Sequence, residues 1–184
     1  RNIGLSLLRE GLAEEYLPEG GHYEGSPMYH CILLEGLLDT YALMEVAKED
    51  TAKLRAALGQ MCDWLHGVAT PDGWFPLFND AARGISGPPF AILESASKMI
   101  DWRPQEELPA ARCLDGLCIL EGKKSFCAID GAPIGPSYNP GHAHSDNLTF
   151  EFFHEGEPVI VDTGTGTYDR CETRLFQRQT RAHN

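Results

Sequence analysis

The chain has 184 residues, 42% of them hydrophobic and 23% charged, with a formal net charge of −12. This is a globular composition, which excludes a disordered chain, and the acidic balance excludes a nucleic-acid binder with a broad basic face. No apolar run approaches the roughly 18 residues that a membrane span requires.

The chain opens inside a helical pattern, without an initiator Met or a signal-like segment, and closes abruptly at "TRAHN", as a piece of a longer protein would. Ile3, Leu7, Leu8, Leu12, Tyr16 and Leu17 mark a first helix that ends at "PEGG". Ser26 is placed to cap a second helix with Pro27 at its first position, running through "MYHCILLEGLLDTYALMEVAK". That helix is apolar around most of its girth, so it is expected to be buried on several sides. A third, "EDTAKLRAALGQMCDWLHGVA", puts Leu54, Leu58, Met61, Leu65 and Val68 on one stripe, and "PPFAILESASKMI" forms a shorter fourth beyond the loop "TPDGWFPLFND". Helix hairpins joined by long loops rich in Gly, Pro and aromatics predict a helical solenoid or toroid with its working surface on a loop rim.

After "DWRPQEELPAA", a linker rich in Pro and Glu, the period changes to two. "GLCILEG", "KSFCAIDG", "NLTFEFFHEG" and "EPVIVDTG" read as strands, with a tight turn at "HEGEP". The expected organisation is therefore a helical portion over 1–104 and an antiparallel β portion over 105–184, truncated before its sheet is complete. Six cysteines show no C-x-x-C pair and no zinc-ribbon spacing, and no disulfide framework is expected.

Two stretches could carry chemistry. "GGHYEGSPMYH" gathers His22, Tyr23, Glu24, Tyr29 and His30 at the entry to the second helix. The partial positive charge of a helix N-terminus would favour a phenolate, so Tyr29 is a candidate proton-transfer group; the plainer alternative is a packed Tyr whose hydroxyl caps a turn. "NPGHAHSDNLTFEFF" carries His142 and His144, which face the same side if the segment is extended. His-x-His is a frequent metal-ligand spacing but supplies only two of the three or four ligands a metal needs. Asp162 in "VIVDTGTGTY" and His183 in "RAHN" are the natural candidates to complete it, against the alternative of histidines satisfied by hydrogen bonds in a polar turn. A simple hairpin turning at "EG" pairs Asp162 with about Thr149, roughly 17 Å along the strand from His144, so the histidine segment would have to bend back over the sheet. Arg170, Arg174, Arg178 and Arg181 make a local anion-binding candidate near the C-terminus, or else a solvated edge with ordinary salt pairs.

Together, "LPEGGHYEGSPMYH", "PDGWFPLFNDAA", "GPSYNPGHAHSDNLTFEFF", "VIVDTGTGTY" and "RQTRAHN" resemble the heparinase II/III family of polysaccharide lyases, in the family's order and over most of the chain. The resemblance implies an α+β multidomain fold, the C-terminal part of an (α/α) toroid followed by a truncated antiparallel β-sandwich. It implies β-elimination at a uronic acid, in which the C5 proton is withdrawn and the 4-O-linked sugar leaves. By position it implies Tyr29, His142 and Tyr168 as catalytic residues, and zinc on His144, Asp162 and His183. His22, Glu24, Arg178 and Arg181 are the expected substrate-binding residues. The family's carboxylate-neutralising group lies upstream of the first residue here. The implied partner is an acidic polysaccharide or oligosaccharide, with no nucleic acid; a homodimer is left open, and the implied setting is periplasmic or secreted. Two other readings stand beside this one: a catalytically inactive glycan-binding module on the same fold, and a cupin-type metal enzyme. The cupin reading lacks a Glu four or five residues after the second His, where Leu148 and Thr149 stand.

Overall fold

A computed structural model describes residues 2–138 and 140–184. Four helices come first: α1 (Asn2–Glu14), α2 (Pro27–Ala47), α3 (Ala52–Val68) and α4 (Pro89–Met99). The sequence explains their ends. Ser26 is extended, with φ −103° and ψ 119°, and Pro27 opens α2 where its missing N–H costs no helical hydrogen bond. The predicted stripe of α3 is buried in full, Leu54, Leu58, Met61, Leu65 and Val68 all packing inward. α2, expected to be buried on several sides, buries one side through Cys31, Leu34, Leu37, Leu38 and Tyr41, while Ile32, Leu43 and Val46 stay exposed.

Five strands follow, β1 (Ala111–Leu114), β2 (Leu117–Glu121), β3 (Ser125–Asp130), β4 (Phe150–His154) and β5 (Glu157–Ile160), in one antiparallel meander of that order. Two tight turns set its register. Asp115 and Gly116 join β1 to β2 with φ of 50° and 92°, and Glu155 and Gly156 join β4 to β5 with φ of 52° and 88°. Both central positions lie in the left-handed region, the twist that two-residue hairpins demand. The "HEGEP" turn is thus where the sequence puts it.

Ile119, Phe126 and Phe153 from the sheet join Leu34, Leu58, Leu65, Phe75 and Phe78 in a single buried cluster. The two portions therefore share one core. The last helical residue of α4 is Met99 and the first strand residue is Ala111, and the segment between is pinned where Trp102 donates to Asp63 at 2.9 Å. Among the described residues no helix is long and apolar enough to cross a membrane.

Four features differ from expectation. The first helix ends at Glu14, so Tyr16 and Leu17 lie beyond it, with Tyr16 bridged to His22. Strand β1 falls in the segment read as the linker's end and the residues after it; with four residues beside Pro109, it has too little pattern to be seen as a strand. A six-residue helix, α5 (Glu172–Gln177), and a 3-10 turn at Thr180–Ala182 occupy the arginine-rich C-terminal segment. The expectation of no disulfide is corrected: Cys113 and Cys118 are bridged, with Cα atoms 4.0 Å apart. They stand directly opposite in the β1–β2 register, and once β1 is recognised their five-residue separation becomes a cross-strand pair.

Candidate active site

The site forms where the loop after α3, the start of α2, the segment before β4 and the chain after β5 converge. The loop after α3 is anchored by Phe75 and Phe78, both buried, and its end presents Asn79 and Asp80. Asn79 has φ 56° and works in three directions. Its amide donates to Asp146 at 2.8 Å, its side chain donates to Gly25 O at 3.0 Å, and it accepts the His144 amide at 3.1 Å. One residue so fastens the loop to both chemistry-bearing stretches.

Asp80, next in sequence, is the hub. Its Oδ1 lies 2.7 Å from His144 Nε2 and accepts from Thr165 at 2.9 Å. Its Oδ2 lies 3.0 Å from His142 Nδ1. Arg174, from α5, donates to both oxygens, with Nη2 at 2.7 Å from Oδ2. Burial by itself would raise the Asp80 carboxyl, yet the hydrogen bonds from His144, Arg174, His142 and Thr165 hold it well below the usual carboxylate range. Sequence reasoning missed Asp80. Its signal was an Asn-Asp pair closing an aromatic loop, within a stretch that carried the family resemblance without an assigned role.

His142 and His144 do face one place, as the i, i+2 spacing suggested. His142 is held on both sides, since Nε2 lies 3.3 Å from Glu24 while Nδ1 meets Asp80. The half-buried Tyr29 ring lies on it, with centroids 3.9 Å apart and planes at 32°. Tyr168 donates to Asp80 O at 3.1 Å, and its hydroxyl is pushed up by burial and by a hydrogen bond with Tyr29. Tyr29, His142 and Tyr168 are thus brought together, with Glu24 beside them. His22 is buried nearby, with ring nitrogens 4.0 Å from Glu15 and 3.9 Å from Glu24.

The bend required of the histidine segment is present. Thr149 does meet Asp162, its hydroxyl donating at 3.1 Å, although a bulge between Phe152 and Phe153 shifts the β4–β5 register by one. The chain then folds back: Leu148 takes φ 70°, and the Thr149 amide donates to Asp146 O at 2.9 Å. Gly164, with φ 56°, has no room for a side chain, because a Cβ there would meet Ala81 O at 2.5 Å. This close approach lets the chain after Asp162 run past Asp80, and the Thr165 amide donates to Ala81 O at 2.9 Å.

Behind His142 lies a set of groups suited to a cation. His144, Asp146 and His183 have ligand atoms within 4.8 Å of one another. His144 Nδ1 and His183 Nε2 are buried without a hydrogen-bond partner. The opposite nitrogen of each ring is held by a carboxylate: His144 by Asp80, and His183 by Asp162, whose Oδ2 lies 2.7 Å from Nδ1. Carboxylate-held imidazoles with a free inward nitrogen are the arrangement of metal-bound histidines. Burial first, then the nearby Asp146 and Asp162 charges, pushes the Asp130 carboxyl up to about 7, against the Ala132 amide and His183. Of the expected set of His144, Asp162 and His183, all three lie at this pocket, and Asp146 joins them. Asp146 converges on the two histidines, and Asp162 stands behind His183 as its hydrogen-bond partner. The reason is the fold-back at Leu148, which carries Asp146 inward.

The arginines divide as well. Arg178 donates from Nε and Nη2 to Ala143 O at 3.0 and 2.8 Å, so its fork is spent on the backbone between the two histidines. The Arg181 guanidinium lies 5.0 Å from the Phe176 ring centroid. Arg174 holds the hub.

Two buried histidines make acid stability predictable. Burial, then the His142 charge, lowers His22 from 6.5 to about 4; burial, then His22, lowers His30 to about 3, although its bond to Met61 O opposes this. The unfolded chain therefore binds more protons than the folded one between those values and 6.5. Stability is full above about pH 6.5 and is lost as pH falls toward 4 and then 3, with each unit of depression worth about 1.4 kcal/mol. Denaturant midpoints measured from pH 7.5 to 4.5 should fall, and His30→Gln should flatten the slope. An unchanged slope in that variant would show that His30 does not remain neutral when buried.

Comparison with known proteins bears on the family and the fold. The family model described as heparinase II/III N-terminus matches residues 1–101, and the heparinase II/III-like, C-terminal model matches residues 115–184. A heparin-sulfate lyase of Pedobacter heparinus is 24% identical over 205 residues, which cover 100% of this chain and 31% of the relative. The chain thus spans about a third of that protein's length. The crystal structure of heparan sulfate lyase HepC from Pedobacter heparinus has the same fold, with TM-score 0.75 at 23% identity over 98% of this chain and 32% of that one. A crystal structure of heparinase III superposes with TM-score 0.77 at 19% identity, covering 100% of this chain and 34% of that one. With both family models matched in order, the helices as part of the toroid and the sheet as part of the sandwich, the chain belongs to the heparinase II/III family.

Proposed function

We propose that this chain carries the proton-transfer centre of a lyase that cleaves uronate-containing polysaccharide by β-elimination. The observation that carries the reading is the stacking of Tyr29 on His142 in the seam between helices and sheet, with Tyr168 reaching the same spot. A seam walled by both portions suits a long acidic polymer held from two sides. In the reaction a base takes the C5 proton and the C5–H electron pair becomes the C4–C5 double bond. The C4–O bond breaks, and the departing oxygen receives a proton. Tyr29 and His142 are the proton-transfer pair, and Tyr168, hydrogen-bonded with Tyr29, is the next group that can return a proton to the leaving oxygen. Neutralisation of the uronate carboxylate is assigned to a side chain outside these residues. Stabilising the charge that develops beside C5 is what makes so weakly acidic a C–H removable.

Zinc suits the nitrogen and oxygen donors of His144, Asp146 and His183. When bound, it would supply fixed positive charge that organises the histidine segment. Asp162 keeps His183 turned toward that position, and Arg178 holds the backbone between His142 and His144. A periplasmic or secreted setting is proposed with this reading, as the family resemblance implies.

The test is a screen of the full-length protein against heparosan, heparan sulfate, alginate and bacterial exopolysaccharide uronates. The expected signal is the ultraviolet absorption of the unsaturated product. Binding of these polymers without any such absorption would overturn the lyase reading in favour of a glycan-binding module.

A further inference from the structure

The Asp80–Arg174 pair has no role in the reaction as set out above, yet it touches both histidines. Asp80 is buried, with 1% of its side chain exposed, and comes from the helical half. Arg174 comes from α5, at the far end of the chain. A buried carboxylate held bidentately by a guanidinium has a fixed orientation, because both N–H donors must be met at once. Here the fork is closed by Nη1 on Oδ1 and Nη2 on Oδ2, and Thr165 adds a further donor to Oδ1. Each oxygen also meets one imidazole, His144 Nε2 on the more crowded Oδ1 and His142 Nδ1 on Oδ2.

A carboxylate only accepts hydrogen bonds, so the ring nitrogen facing it must carry the proton. We propose that Asp80, locked by Arg174, is a positioning residue that fixes both histidines by one device. It sets the proton on Nδ1 of His142 through an aligned hydrogen bond, whereas Nε2, 3.3 Å from Glu24 on the cleft side, has no such aligned bond to fix a proton on it. It also sets the proton on Nε2 of His144, which turns Nδ1 inward toward Asp146 and His183. The two rings are thereby coupled: neither can flip without breaking a bond to the same carboxylate. This links the proton-transfer centre to the candidate metal pocket through a single side chain on the other half of the molecule.

Asparagine is the discriminating replacement. It matches Asp80 in shape, but its amide nitrogen is a donor and would face donors from Arg174 and one histidine. Buried donors left without acceptors are costly, so at least one ring must turn or lose its proton at that position.

The experiment reads the ring protons directly by long-range proton–nitrogen spectra of the nitrogen-15-labelled, chelator-treated full-length protein. Histidine signals are identified by single His→Gln replacements. In wild type, protons are expected on His142 Nδ1 and His144 Nε2. In Asp80→Asn at least one of the two patterns should change, and kcat should fall about 10- to 100-fold, as for loss of a partner that orients a functional histidine. KM should stay within about threefold, because Asp80 does not touch substrate. Arg174→Lys keeps the charge but loses the fork, and should show a smaller fall in kcat.

A merely structural role would lower the melting temperature but leave both ring patterns intact in the folded fraction. A wild-type spectrum without a proton at either position overturns the proposal, as does a folded Asp80→Asn protein with unchanged patterns. Should that variant not fold, the wild-type spectrum alone decides. The kinetic measurement rests on the lyase reading, whereas the spectra do not. A protein that eliminates no polymer but shows both protons would sink that reading and keep this one.

Discussion

Tyr29→Phe in the full-length enzyme is expected to lower the elimination rate by about 100-fold or more, the usual scale for losing an acid–base group. The change removes one oxygen and keeps the ring that lies 3.9 Å from His142, so the packing at the start of α2 survives. The expected signature is a fall in kcat with little change in melting temperature. Should Tyr29→Phe retain near wild-type elimination on its best substrate, the assignment is wrong. Tyr168 is then the next residue to replace, since its hydroxyl is hydrogen-bonded with Tyr29 and donates to Asp80 O. His22 follows it, although its burial and lowered pKa make it a neutral packing group first.

The second large effect concerns zinc. Protein reconstituted with zinc and dialysed is expected to retain the metal stoichiometrically by elemental analysis, and His144→Ala or His183→Ala should abolish this. Each replacement removes a donor nitrogen that is otherwise buried without a partner, so nothing else in the pocket takes its place. The two aspartates should behave differently. Asp146→Asn removes a converging ligand, and retention should fail. Asp162→Asn removes the group that orients His183 and should weaken binding by about 10- to 100-fold. The reverse order would make Asp162 the ligand and Asp146 the support. Wild-type protein that holds no transition metal after reconstitution would remove the metal altogether, leaving a buried polar cluster with two unpaired imidazole nitrogens.

Much of the fold was legible because its signals are local. Helix α3 follows from a stripe at Leu54, Leu58, Met61, Leu65 and Val68, and every one of these side chains is buried. The start of α2 follows from Ser26 and Pro27, and the β4–β5 turn from Glu155 and Gly156. β1 was lost because four residues hold too few alternations to outweigh the nearby prolines, and its disulfide was lost with it. α5 is shorter still in turns, and a six-residue helix draws its stability from what it packs against.

The site divides along the same line. By itself the sequence determined which side chains have chemistry to offer: a Tyr at a helix entry, a His-x-His pair, an Asp after a strand, a His near the end. It also indicated, through the hairpin turn, that Asp162 comes near Thr149 and that the histidine segment must turn back, although a bulge at Phe152 and Phe153 shifts the pairing by one. Only the tertiary structure decided what that turn delivers. The fold-back at Leu148 brings Asp146 in among the histidines, and Asp162 is left as the partner of His183. Asp80 and Arg174 stand 94 positions apart, and neither has a spacing that points to the other. They meet because the helices and the sheet share one core, which fixes the loop after α3 against the chain that follows β5. Periodicity reports how a segment faces its own surroundings; which distant segment supplies a buried partner is set by packing, and that information exists only once the core has closed.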